Sequence, residues 1–179
     1  MRAKHHMMDL GLLKQLIVIK RKDYLTLAAA SCGLLAIYST MMGYTASWLL
    51  ILAAVVFDYL DGMISRMGKK PATNDFGREL DSLADAVAFG TAPAAIAMSA
   101  RPDAVGFIAA LFYMCCALVR LGLFNLQKEK NYYGLPTPAA ALAAAAVLAV
   151  YPTEVSVPVT MVALGVLMVS GFRIVKPQL

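Results

Sequence analysis

Asp58 and Asp61 stand three residues apart in the chain, and Asp81 and Asp85 stand four apart. On a helix either spacing puts both carboxylates on one face. Both pairs interrupt apolar runs, where a carboxylate at the centre of a membrane helix costs about 2.5–3.5 kcal/mol and so marks a site of function. Two facing helices would bring four negative charges to one point, and pairing with Arg66 and Arg78 alone would relieve only part of the repulsion. A hard divalent cation with oxygen ligands removes the conflict. One or two magnesium or manganese ions are the expected occupants, since an all-oxygen donor set suits both.

The glycines and the arginine beside these acids suggest what meets the metal. Gly62 and Gly77 leave the rim of the cluster without side chains, so a phosphate or nucleotide can approach the backbone closely. Arg66 follows Asp61 and Gly62 by about one turn and suits a phosphate oxygen. Asp85 lies seven residues beyond Arg78, a helical rise of about 10 Å. That depth reaches the headgroup and upper acyl region, where a lipid phosphate and a cytosolic solute can both arrive. An ion transporter would usually hold its charges nearer the midplane.

The elements that must position these residues are membrane helices. Sixty per cent of the 179 residues are hydrophobic and 15% are charged, too much apolar surface for a water-soluble domain of this size. Long apolar runs cover Tyr24 to Met42, Ala46 to Ile64, Leu80 to Ala100, Ala104 to Leu126 and Val155 to Phe172. Pro138 to Tyr151 becomes long enough to cross only if it starts near Tyr132, with Pro136 and Pro138 shaping its entry. The expected fold is therefore an all-α integral membrane protein of six transmembrane helices.

Charge supplies the orientation. With the N-terminus inside, 15 of the 16 lysines and arginines fall on cytosolic segments, and only Arg101 falls on the other side. The positive-inside rule then places both termini and the aspartates at the cytosol. The net charge of +5 is thus a topological signal and implies no nucleic-acid partner. Tyr44 and Trp48 would lie at the outer interface. Asp9 to Lys22 mixes leucines with lysines and reads as an amphipathic helix on the cytosolic leaflet. Residues 1–23 form a basic tail with that interfacial helix, and 24–179 form the membrane domain. His5 and His6 read as an exposed tail; Cys32, Cys115 and Cys116, all inside apolar runs, read as packing residues without disulfides. The alanine run Ala139 to Ala146 suggests a close helix contact.

Written out, Asp58-Tyr-Leu-Asp61-Gly62-Met-Ile-Ser65-Arg66, ten intervening residues, then Gly77-Arg-Glu-Leu-Asp81-Ser-Leu-Ala-Asp85 resembles the signature of the CDP-alcohol phosphotransferases, D-x-x-D-G-x-x-A-R followed by G-x-x-x-D-x-x-x-D. Ser65 stands where alanine is usual, and the spacer is slightly long. The resemblance implies a six-helix membrane enzyme that moves a phosphatidyl-type group from a CDP-linked lipid to an alcohol and releases CMP. It implies a metal site at Asp58, Asp61, Asp81 and Asp85, with Asp85 also the general base. It implies a CDP pocket formed by Asp58, Asp61, Gly62, Ser65, Arg66, Gly77 and Asp81. A homodimer is implied as well.

The stretches Glu79 to Pro93 and Gly134 to Ala141 resemble the serine-accepting branch of that family, the phosphatidylserine and archaetidylserine synthases, which implies L-serine as acceptor. Two positions depart from the branch: Leu123 replaces a second arginine, and Ala88 replaces a serine. Arg120 and Asn125, near the cytosolic end of the fourth span, are suited to hold a serine carboxylate by charge-assisted hydrogen bonds. Glycerol 3-phosphate or inositol phosphate would call for added basic residues, which Lys128 and Lys130 could supply. A divalent-cation carrier is the alternative of a different kind, because acidic clusters in helices also bind ions in transit.

Overall fold

The computed structural model describes residues 23–67, 75–126 and 134–171, and all of its regular structure is helical. The helices are α1 (Asp23–Met41), α2 (Ser47–Met67), α3 (Asp75–Asp85), a π-helical segment (Ala86–Thr91), α4 (Ala92–Ala100), α5 (Ala104–Leu126), α6 (Thr137–Val150) and α7 (Ser156–Val169). The segment expected to form the interfacial helix, Asp9 to Lys22, lies outside the described residues, as do Tyr132 and the basic Lys128 and Lys130.

Among the described residues four helices are long and apolar enough to cross a membrane: Asp23–Met41, Ser47–Ile64, Phe76–Ala100 and Ala104–Leu126. The third runs through α3, the π-helical segment and α4, and begins four residues before the expected Leu80 because Arg78 and Glu79 hide its first turn from hydropathy. The remaining two, α6 and α7, are apolar helices of 14 residues each, about 21 Å long at 1.5 Å per residue. Pro136 caps α6 and Pro138 sits in its first turn, where a missing N–H costs nothing.

Hydrogen bonds between distant residues fix how the helices run. Thr26 at the start of α1 meets Asp61 near the end of α2. Asn125 at the end of α5 meets Ser82 in α3, and the backbone N–H of Leu135 donates to the Leu167 carbonyl of α7 at 3.0 Å. At the opposite end, Arg101 Nη1 donates to the carbonyl of Glu154. The helices therefore alternate up and down between an aspartate end and a far end. Tyr44 and Trp48 lie at the far end and are exposed.

Small residues let the helices pack closely. Ala140 and Ala144 of α6 pack into one core with Tyr113, Val157, Met161 and Met168, while Ala141 and Ala145 pack into a second with Ala29, Ile51, Ala88 and Phe89. The alanine run thus makes α6 the helix shared by both cores, the close contact its composition suggested. Large apolar side chains such as Leu34, Phe107, Ile108 and Val119 are exposed on the outer surface, which suits lipid rather than water. Cys32, Cys115 and Cys116 are free.

Candidate metal centre and acceptor site

Asp58 comes from the second half of α2, and Asp81 and Asp85 come from one face of α3. Each offers a carboxylate oxygen, and the three oxygens lie within 4.8 Å of one another. All three side chains are half-buried. Three like charges this close are tolerable when a cation neutralises them, and carboxylate oxygens are the donors that magnesium and manganese prefer. The donor set therefore fits a divalent ion.

Asp61, the fourth acid of the motif, is buried and differently employed. Its Oδ2 accepts a hydrogen bond from Thr26 Oγ1 of α1 at 3.4 Å, and it is not one of the three clustered acids. Gly62 is half-buried and Gly77 buried. Ser65 and Arg66 belong to the last turns of α2, but their side chains lie outside the described residues.

The proposed acceptor residues stand on α5, whose end packs beside α3. Asn125 Nδ2 donates to Ser82 Oγ at 2.8 Å, and Ser82 is the immediate neighbour of Asp81. Asn125 Oδ1 is buried and has no hydrogen-bond partner among the described residues. Arg120 is buried, 5% exposed. Its Nε donates to the Leu135 carbonyl at 3.4 Å, and the guanidinium lies 5.9 Å from the centre of the Phe124 ring, within cation–π range.

The two departures from the serine-accepting pattern also have places. Leu123 is exposed on α5. Ala88 is in the core against α1, where a Cβ on Gly33 would stand 2.6 Å from the Ala88 Cα.

Sequence reasoning passed over two polar residues of this end. Asp23 and Thr26 are 1% and 4% exposed, one helical turn apart at the start of α1. Their spacing matches that of Asp58 and Asp61, a signal that was available in the chain.

Residues 22–171 match the CDP-alcohol phosphatidyltransferase family. The CDP-diacylglycerol--serine O-phosphatidyltransferase of Methanocaldococcus jannaschii is 33% identical over 159 residues, covering 89% of this chain and 75% of that protein. The archaetidylserine synthase of Methanothermobacter thermautotrophicus is 36% identical over 157 residues, 84% of this chain and 67% of that one. The CDP-diacylglycerol--serine O-phosphatidyltransferase of Bacillus subtilis is 38% identical over 124 residues, 66% and 69% of the two chains.

Proposed function

Because the chain belongs to the CDP-alcohol phosphatidyltransferase family, we propose that it transfers a phosphatidyl-type group from a CDP-lipid to the hydroxyl of L-serine, releasing CMP, in phospholipid biosynthesis. The observation that carries this reading is the convergence of Asp58, Asp81 and Asp85 within 4.8 Å, built from the two halves of one motif. The relatives named for serine transfer support the acceptor. Their names divide between diacylglycerol and archaeol lipids, and a groove lined with Leu, Val and Ala would accept either tail.

In this reading Asp58, Asp81 and Asp85, with Asp61 beside them, hold one or two magnesium or manganese ions. Such an ion supplies neutralisation of the charge on the pyrophosphate and on the departing CMP. Asp85 takes the proton of the acceptor hydroxyl as its oxygen bonds to the lipid-side phosphorus and the bond from that phosphorus to CMP breaks. Gly62, Ser65, Arg66 and Gly77 line the CDP pocket. Arg120 binds the serine carboxylate through Nη1 and Nη2, and Asn125 Oδ1 accepts from the serine ammonium group. Burial makes both contacts selective, because a ligand lacking the matching group leaves them unpaired.

The protein crosses the membrane six times, with both termini and the aspartate end at the cytosol, and works as a homodimer. The fifth and sixth crossings rest on α6 and α7 joining the same two ends of the bundle as the longer helices do.

Purified protein in detergent, given CDP-diacylglycerol or CDP-archaeol and Mn2+, should release CMP with L-serine and not with glycerol 3-phosphate or inositol phosphate. Release with another acceptor would overturn the serine assignment and keep the aspartate chemistry. Metal movement into sealed vesicles without any CDP-lipid would favour a carrier instead.

A further inference from the structure

The third span changes its hydrogen-bonding pattern immediately after Asp85. From Ala86 to Thr91 the backbone is π-helical, and the N–H of Ala92 reaches back five residues to the carbonyl of Val87. Such a segment accommodates one extra residue and is favoured where a helix must present a different face on either side of it.

The cause is in the sequence. Pro93 is the second residue of α4, and it has no N–H to give the carbonyl of Phe89 four residues earlier; in a regular helix its ring would also collide with that carbonyl. In an apolar bundle a carbonyl freed in this way needs a partner from a neighbouring helix. Tyr113 of α5 provides one: its hydroxyl donates to the Phe89 carbonyl at 3.0 Å, in a contact buried from both sides. The other end of the segment is held from within, since Thr91 Oγ1 donates to the carbonyl of Ala86 at 3.0 Å. Ala86 is the residue after Asp85.

Two hydroxyls therefore hold the joint between the face of α3 that carries Asp81 and Asp85 and the face of α4 that packs in the core. An extra residue turns one face against the other by about 100°, the angle one residue subtends on a helix. If the joint relaxed, Asp85 would turn away from Asp58, which α2 holds separately.

We propose that Tyr113 is a positioning residue for the metal centre, acting through the Phe89 carbonyl to fix the rotation of the Asp81–Asp85 turn, with Thr91 as its partner at the near end. This rests on the metal-centre reading above and adds to it residues that touch neither metal nor substrate.

The test measures Mn2+ binding by the full-length protein in detergent, from the electron paramagnetic resonance signal of free Mn2+, alongside CMP release. Tyr113→Phe should weaken Mn2+ binding about tenfold, the lower range for groups that orient metal ligands, and lower kcat with the KM for CDP-lipid unchanged. Pro93→Ala alone, which returns an N–H within reach of the Phe89 carbonyl and lets the segment close into a regular helix, should weaken Mn2+ binding in the same way. Parent-like Mn2+ binding by Tyr113→Phe, or by Pro93→Ala, would overturn the proposal. Should Tyr113→Phe fail to fold, Thr91→Val carries the same expectation, and unchanged Mn2+ binding there overturns it. A parent protein that binds no Mn2+ removes the proposal together with the metal reading, whereas one that binds Mn2+ without releasing CMP leaves the proposal standing and removes only the transferase reading.

Discussion

In the proposed mechanism Asp85 is asked for two things at once, to share a cation with Asp58 and Asp81 and to accept a proton from the acceptor. Asn keeps its shape and an oxygen donor but cannot take the proton. Asp85→Asn should therefore lower kcat by about 10²–10⁴-fold, the usual worth of a general base, while CDP-lipid binding stays close to that of the parent; normal turnover would remove Asp85 from that role. Arg120 is a different case, buried, with its Nε donating to the Leu135 carbonyl. Loss of a charged hydrogen-bond donor is worth about 1.5–3 kcal/mol, so Arg120→Ala should raise the apparent KM for serine by about 10–100-fold with the CDP-lipid KM unchanged. An effect confined to CDP-lipid would move Arg120 to the nucleotide side. The four motif aspartates were legible because each pair is local and sits where an acid is expensive. The division of labour among them was not, because the hydrogen bond that engages Asp61 comes from Thr26, 35 residues away. For the same reason the buried Asp23 and Thr26 drew no reading from the sequence.

Helices are held here by closeness more than by bulk, and the contact between α1 and the π-helical segment shows it. A Cβ at Gly33 would come within 2.6 Å of the Ala88 backbone, so any side chain there must push α1 off the segment that follows Asp85. Gly33→Leu should lower the thermal midpoint and cost about 1–3 kcal/mol, as overpacking usually does. A midpoint equal to that of the parent would show that α1 can shift freely. At the far end Asp103 caps α5, accepting from the Gly106 N–H at 2.7 Å and pairing with Arg101 at 2.9 Å. The Arg101 side chain and the Gly106 N–H hold the Asp103 carboxyl below the usual carboxylate range. A lowered folded value means that its stabilisation is present above the unfolded value near 3.8 and is lost as pH falls through the folded one. Asp103→Asn should flatten the fall of the thermal midpoint on that acid side, and added salt should shrink the difference; an unchanged acid limb would leave the pair without a share in stability. Hydropathy found the apolar body of each of these helices, but it missed the first turn of α3, overran the 14-residue α6 and did not see the joint inside the third span. An inserted residue leaves an apolar run apolar, and only Pro93 hints that the run cannot be one regular helix.

The arrangement of the whole bundle bears on its place in the membrane. The Leu135–Leu167 hydrogen bond ties the start of α6 to the end of α7 at the aspartate end, where Arg120 also reaches the Leu135 carbonyl. Arg101 ties the loop between the same two helices to the far end. Helices of about 21 Å that join both ends of a bundle fall short of an apolar layer of about 30 Å, a mismatch that local thinning or flanking residues can absorb. The four motif aspartates stand at one end, and the sequence assigns 15 of the 16 basic residues to that same side, which predicts one orientation. Arg101 is consistent with this, since at the far end its charge is matched by Asp103. In a background with Cys32, Cys115 and Cys116 replaced, single cysteines at Tyr44 and Thr153 should react with a membrane-impermeant maleimide on intact cells. Cysteines at Lys69 and Lys128 should react only after the cells are opened. Labelling of position 69 on intact cells would reverse the expected orientation and put the aspartates on the outer side. If position 153 alone were protected, α6 and α7 would fold back within the membrane, leaving four crossings. That outcome would leave the expected side of the aspartates untouched, because labelling at 69 and 128 tests it separately.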